Sequence, residues 1–165
     1  MHPPWGGAVH LPGSRNVIDL NQLRLDVEAR VGVALSDTTE LFKFVDNIVS
    51  DGRRVRTGAV ARQLALRQVR RGTSLGGGVA VPHAAVRRLP RARLIYIQLQ
   101  AAITMDAPDH EAVRDVLALL VRYPPSLADH ALLDCIRDPD MNPVLIDLLR
   151  RGRCAEVVER LARAA

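Results

Sequence analysis

One stretch of this 165-residue chain has residue types and spacing that can do chemistry. It runs Arg67-Gln68-Val69-Arg70-Arg71-Gly72-Thr73-Ser74-Leu75-Gly76-Gly77-Gly78-Val79-Ala80-Val81-Pro82-His83. Three consecutive glycines can adopt the positive φ angles that other residues avoid, so the segment reads as a loop whose backbone N–H groups can turn toward one point. A cluster of such groups is an anion site, and an imidazole placed beside one suggests phosphate chemistry. Of the other histidines, His130 opens a helical segment, His110 lies in a turn, and His2 and His10 fall in a Pro- and Gly-rich start with no periodic pattern.

The elements that must position His83 follow from periodicity. Asp37 with Glu40 has the character of a capping box, and Leu41, Phe44, Val45, Ile48 and Val49 then recur at helical spacing until Asp51-Gly52. A second helix is predicted from Thr57 to about Arg71, with Val60, Leu64 and Val69 on its apolar side. Val79-Ala80-Val81 reads as a short strand ending at His83. From Leu94 to Gln100 the apolar residues alternate, with Ile95, Ile97 and Leu99 on one face, as in a half-buried strand. The unbroken apolar run Val116–Val121 fits a buried central strand. Ser126 and Asp129 cap a helix through about Arg137, and two more helical segments follow, one from Pro143 to Arg151 and one from Cys154 onward. Mixed strands and helices in a chain of this length predict a single α/β domain, a sandwich with a central mixed β-sheet flanked by helices. Residues 1–14 are expected to be a flexible tail and 15–165 the domain, with order beginning near Val17, Ile18 and Leu20.

Composition narrows the function classes. No apolar run has membrane-spanning length and the first residues, MHPPWGGAVH, lack the pattern of a secretory signal, so a cytoplasmic protein without membrane insertion is expected. Cys135 and Cys154 have neither CxxC nor metal-finger spacing and read as reduced, half-buried thiols. The net charge of +5 comes from arginines spread along the chain, Lys43 being the only lysine. Aromatic residues make up 3% and none interleaves the basic runs at residues 53–56 and 87–93, which argues against nucleic acid and leaves an acidic protein partner open.

The order of residues in Gly-Thr-Ser-Leu-Gly-Gly-Gly-Val-Ala-Val-Pro-His resembles the signature of mannitol/fructose-type and nitrogen-regulatory enzyme IIA domains of the bacterial phosphotransferase system. That signature typically reads Ser-Thr-Gly-Ile-Gly-Asn-Gly-Val-Ala-Ile-Pro-His. A second block agrees: Asp106-Ala107-Pro108-Asp109-His110-Glu111-Ala112-Val113 stands where the family carries Asp-x-x-Asp-Gly-x-x-Val. The resemblance spans about residues 15–150. Departures are Gly77 for Asn, Gln68 for Glu, His110 for Gly, and Ala84-Ala85 where an arginine commonly follows the histidine.

The resemblance implies a phosphotransferase acting as a phosphohistidine carrier. His83 would be phosphorylated by the histidine phosphocarrier protein. Arg67, Thr73, Ser74 and the loop Gly76, Gly77 and Gly78 would stabilise the phosphoryl group, and His130 would either contact that group or fix the tautomer of His83. No metal or other cofactor is implied. Acceptors would be a regulatory target protein or a IIB component, and a homodimer is compatible with the same reading. A chain carrying no attached IIB or IIC segment suits a nitrogen-related regulatory role better than sugar transport. A competing reading keeps the fold and drops the transfer, leaving a IIA-like interaction module.

Overall fold

The computed structural model describes residues 25–153 together with 156, 157 and 160. The expected tail, the onset of order near Val17, and Cys154 lie outside the described residues. Glu156, Val157 and Arg160 are helical, where the last helix was expected.

Six strands form one mixed sheet: β1 (Leu25–Val33), β2 (Ser74–Gly76), β3 (Val79–Ala80), β4 (His83–Arg87), β5 (Ala92–Ile103) and β6 (Val113–Tyr123). Their order is β1-β5-β6-β3-β2, and β4 also pairs with β6. β1 runs parallel to β5, β5 antiparallel to β6, and both β3 and β4 parallel to β6. The sheet is accompanied, among the described residues, by the helices α1 (Thr38–Val49), α2 (Ala59–Arg70), α3 (Leu127–Arg137) and α4 (Asn142–Arg150), besides the helical residues after position 155.

β6 explains the layering. Its side chains alternate strictly between two cores, with Val116, Ala118 and Leu120 packing among residues of α1 and α2, and Leu117, Leu119 and Val121 among residues of α3 and α4. A strand covered on both faces needs an apolar residue at every position, which is why the run is unbroken. β5 behaves the same way. Ile95, Ile97 and Leu99 face the α1–α2 side, and Leu94 and Tyr96 are buried on the other, so this strand is covered on both faces rather than on one.

α1 has the expected N-cap, Asp37, whose carboxylate accepts the Glu40 N–H at 2.8 Å. The reciprocal contact differs from a capping box: Glu40 accepts instead from the Ser36 N–H and hydroxyl, at 2.7 and 2.8 Å. Its most buried aromatic is Phe42 rather than Phe44, which packs at the edge of the same core. α2 starts at Ala59, two residues later than expected, and Val69 is 86% exposed because the apolar stripe of this helix ends at Leu64. β1 was not anticipated. Its charged residues Asp26, Glu28 and Arg30 suit its place at the edge of the sheet among the described residues, where charge opposes pairing with another chain.

Candidate functional site

β3 and β4 lie along β6 in one continuous register, Val79 opposite Asp115 and His83 opposite Leu119. Between them Pro82 has no N–H to give to a ladder, and its carbonyl accepts the Leu119 N–H at 3.0 Å. His83 therefore opens β4 rather than closing the preceding strand. It sits at a break in an edge segment that α2 packs against.

The His83 ring is 5% exposed, and both of its nitrogens are engaged. Nδ1 lies 2.8 Å from the Val81 carbonyl, an acceptor only, so Nδ1 carries the proton and Nε2 the lone pair. Two guanidinium groups aim their Nε–H at that lone pair: Arg67 from α2 at 3.2 Å and Arg137 from the end of α3 at 3.4 Å. α2 and α3 belong to opposite layers, so the two arginines reach one atom from the two sides of the sheet. Arg67 is held by a second bond, Nη1 to the Arg71 carbonyl at 2.6 Å. Among the described residues neither arginine has a carboxylate ion-pair partner. Burial lowers the tendency of Arg67 to stay charged, and the neighbouring Arg137 adds to this.

Burial is also the main reason the His83 pKa falls from 6.5 to about 4; the Val81 carbonyl opposes the shift, and the charges of Arg67 and Arg137 reinforce it. The ring is thus a neutral imidazole at pH 7. Between about 4 and 6.5 the unfolded chain binds the proton and the folded chain does not, so stability rises with pH across that window and is fully present above it. Acidifying through the window is expected to remove about 3 kcal/mol of stability. An NMR titration of the ring checks this: its resonances should stay flat through pH 6.5 and inflect near about 4, whereas an inflection near 6.5 would contradict the burial argument.

Of the remaining sequence candidates, Thr73 and Ser74 are buried and line a cavity of about 640 Å³ with His83, Arg67 and Arg137. The Thr73 hydroxyl donates to Gln68 Oε1 at 2.8 Å, so the residue standing in place of the family's glutamate fastens this turn. The Ser74 hydroxyl is buried without a hydrogen-bond partner among the described residues. His130 is exposed and lines a second cavity, of about 340 Å³, again with His83, Arg67 and Arg137. The tautomer of His83 is set by Val81 and not by His130.

The glycines are placed differently from expectation. None of Gly76, Gly77 and Gly78 lines either cavity, and the Gly77 N–H is taken by Asp109 Oδ2 at 2.8 Å. They form the tight link of the β2–β3 hairpin. Gly77 has φ +61°, and a Cβ there would stand 2.6 Å from Ile146 Cγ2, so the asparagine usual at this place in the family would require Ile146 to shift. The N–H groups of Gly77 and Glu111 hold the Asp109 carboxyl below its ordinary pKa. His110, where glycine is usual, has φ 58° and so keeps the left-handed backbone of a glycine.

Arg137 is the residue that sequence reasoning missed. A basic side chain in the last turn of a helix is common because it complements the helix dipole, so nothing in its context singled it out.

No family model matches the sequence, and comparison with curated proteins finds no significant match. Solved structures do match. The nitrogen regulatory protein IIA-Ntr from Neisseria meningitidis is 22% identical with a TM-score of 0.61, over 84% of this chain and 94% of that one. IIA mannitol from Escherichia coli is 17% identical with a TM-score of 0.54, over 87% and 99%. The enzyme IIAMTL in a complex with phosphorylated enzyme IIBMTL from Escherichia coli is 19% identical with a TM-score of 0.54, over 81% and 93%. With its six-stranded mixed sheet between two helical layers, the chain has the fold of the phosphotransferase-system enzyme IIA proteins of the mannitol/fructose type.

Proposed function

We propose that this protein is a phosphoryl carrier that accepts a phosphoryl group on His83 Nε2 from the histidine phosphocarrier protein. One observation carries the reading: a neutral, buried imidazole whose Nδ1–H is fixed on the Val81 carbonyl presents its Nε2 lone pair to a cavity between two arginines. The Nε2 lone pair attacks phosphorus in line with the donor's P–N bond. As the new N–P bond forms, the old one breaks and its electron pair returns to the donor ring nitrogen. Each ring keeps the proton on its other nitrogen, so no proton has to move. The protein's work is positioning and charge stabilisation. Once Nε2 is bonded to phosphorus it can no longer accept, and the Nε–H groups of Arg67 and Arg137 turn to the phosphoryl oxygens beside it. His130 faces the second opening of the site, where it contacts the incoming group.

The mouth of that second cavity suits a protein partner. Leu66 and Tyr123 line it and are 46% and 50% exposed, and Leu127 and Val69 are exposed as well. A nitrogen-related regulatory role, in which phosphorylation adds about two negative charges to this surface and so remakes an interface, fits the likeness to IIA-Ntr. A IIB-type acceptor fits the likeness to the IIA–IIB complex.

The test is intact-mass analysis after incubation with phosphoenolpyruvate, enzyme I and the phosphocarrier protein. The expected result is an acid-labile gain of one phosphoryl group. No gain from a competent donor would sink the carrier reading in favour of the interaction module.

A further inference from the structure

The larger cavity holds more recognition chemistry than a single attacking nitrogen needs. Its lining carries three guanidinium groups, Arg67, Arg71 and Arg137, against one carboxylate, the exposed Asp106. Arg67 and Arg137 have no ion-pair partner among the described residues, and both direct Nε–H groups at the same ring nitrogen. One sp² lone pair cannot satisfy two charged donors fully, so each retains capacity for an oxygen placed between them. Ser74, 8% exposed, also lines this cavity, but its hydroxyl oxygen is shut off from solvent and offers no contact to a ligand there. Asn142 completes the polar lining. Two cations around one volume suit a tetrahedral dianion, and guanidinium groups bind such oxygens with directed, charge-assisted hydrogen bonds.

We propose that the unphosphorylated protein binds free inorganic phosphate in this cavity, between Arg67 and Arg137, and that the bound ion blocks phosphoryl acceptance by His83. The inference rests on the carrier reading for its regulatory half and on the cavity alone for its binding half. The free ion occupies the volume the transferred group must enter, so the two exclude each other. Acceptance then falls as cellular phosphate rises.

The experiment uses the full chain. Phosphate is titrated at constant ionic strength set with chloride, binding is read by calorimetry and by the His83 ring signals, and the rate of phosphorylation by the donor system is measured at the same phosphate concentrations. The donor system is checked for phosphate sensitivity on an unrelated acceptor. Phosphate is expected to bind and to slow phosphorylation over one concentration range. Arg137→Gln should weaken binding by about tenfold or more, the loss of one charged hydrogen bond, and Arg137→Lys should restore part of it. Near-ultraviolet circular dichroism confirms that each variant is folded. Binding that is absent while phosphorylation proceeds would overturn this inference and leave the carrier reading standing. Binding that is equal in wild type and Arg137→Gln would also overturn it, since the ion would then be on the general basic surface. Phosphate binding without any transfer from the donor would uphold the site and remove the carrier reading.

Discussion

His83→Ala is expected to take up no phosphoryl group under conditions in which the wild-type chain is charged to one group per molecule. The deletion removes the atom that bonds to phosphorus, so no other contact can substitute. His83→Gln should be equally inert although it keeps a polar group of similar reach, because an amide offers no nucleophilic lone pair at that position. Arg67→Gln retains the nucleophile and loses one of two cations facing the phosphoryl oxygens, and should slow charging by about 100-fold. His130→Ala should slow it less, since the exposed ring neither fixes the His83 tautomer nor supplies the bond. Intact mass against time separates these outcomes. Charging of His83→Ala at the wild-type rate would place the phosphoryl group elsewhere and refute the assignment.

The largest effect on stability is expected at Asp46, a residue remote from His83 in sequence and buried at 2% exposure. It belongs to α1 but caps α2. Its carboxylate accepts the N–H groups of Gly58 at 2.8 Å, Val60 at 2.9 Å and Ala61 at 3.1 Å. α2 needs this because its own N-cap is Gly58, at φ 87°, with no side chain to give. Asp46→Ala leaves three donors at a partly buried helix start without their acceptor and should cost about 3 kcal/mol. Asp46→Asn, which keeps one acceptor oxygen, should cost roughly half of that. Urea unfolding midpoints measure both. If Asp46→Ala unfolds at the wild-type midpoint, the carboxylate does not hold α2 in place.

Much of the site's frame was legible in the sequence because it depends on local rules. The unbroken run of β6 and the alternation of β5 marked the sheet's centre, and the Ser126–Asp129 capping box marked the start of α3, where both halves of the box are formed. The hairpin glycines were seen but given another task, since sequence shows that a loop can turn N–H groups inward and does not show which group takes them. Here Asp109, thirty-two positions on, takes that of Gly77. β1 was missed because an edge strand with charged residues on it lacks the apolar weight of a central one. Arg137 was invisible for a related reason: its partner is 54 positions away, and only the closing of α3 over the sheet brings them together.

That long separation bears on biosynthesis. Arg67 precedes His83 by 16 residues and Arg137 follows it by 54. A nascent chain that has already released His83, the strand that carries it and all of α2 still lacks one of the two guanidinium groups, and gains it only when the ribosome has delivered α3 and that helix has docked. On the carrier reading, acceptor competence therefore arrives late in translation, after the central sheet has been synthesised, and a chain stalled before residue 137 would offer the donor an incomplete receptor.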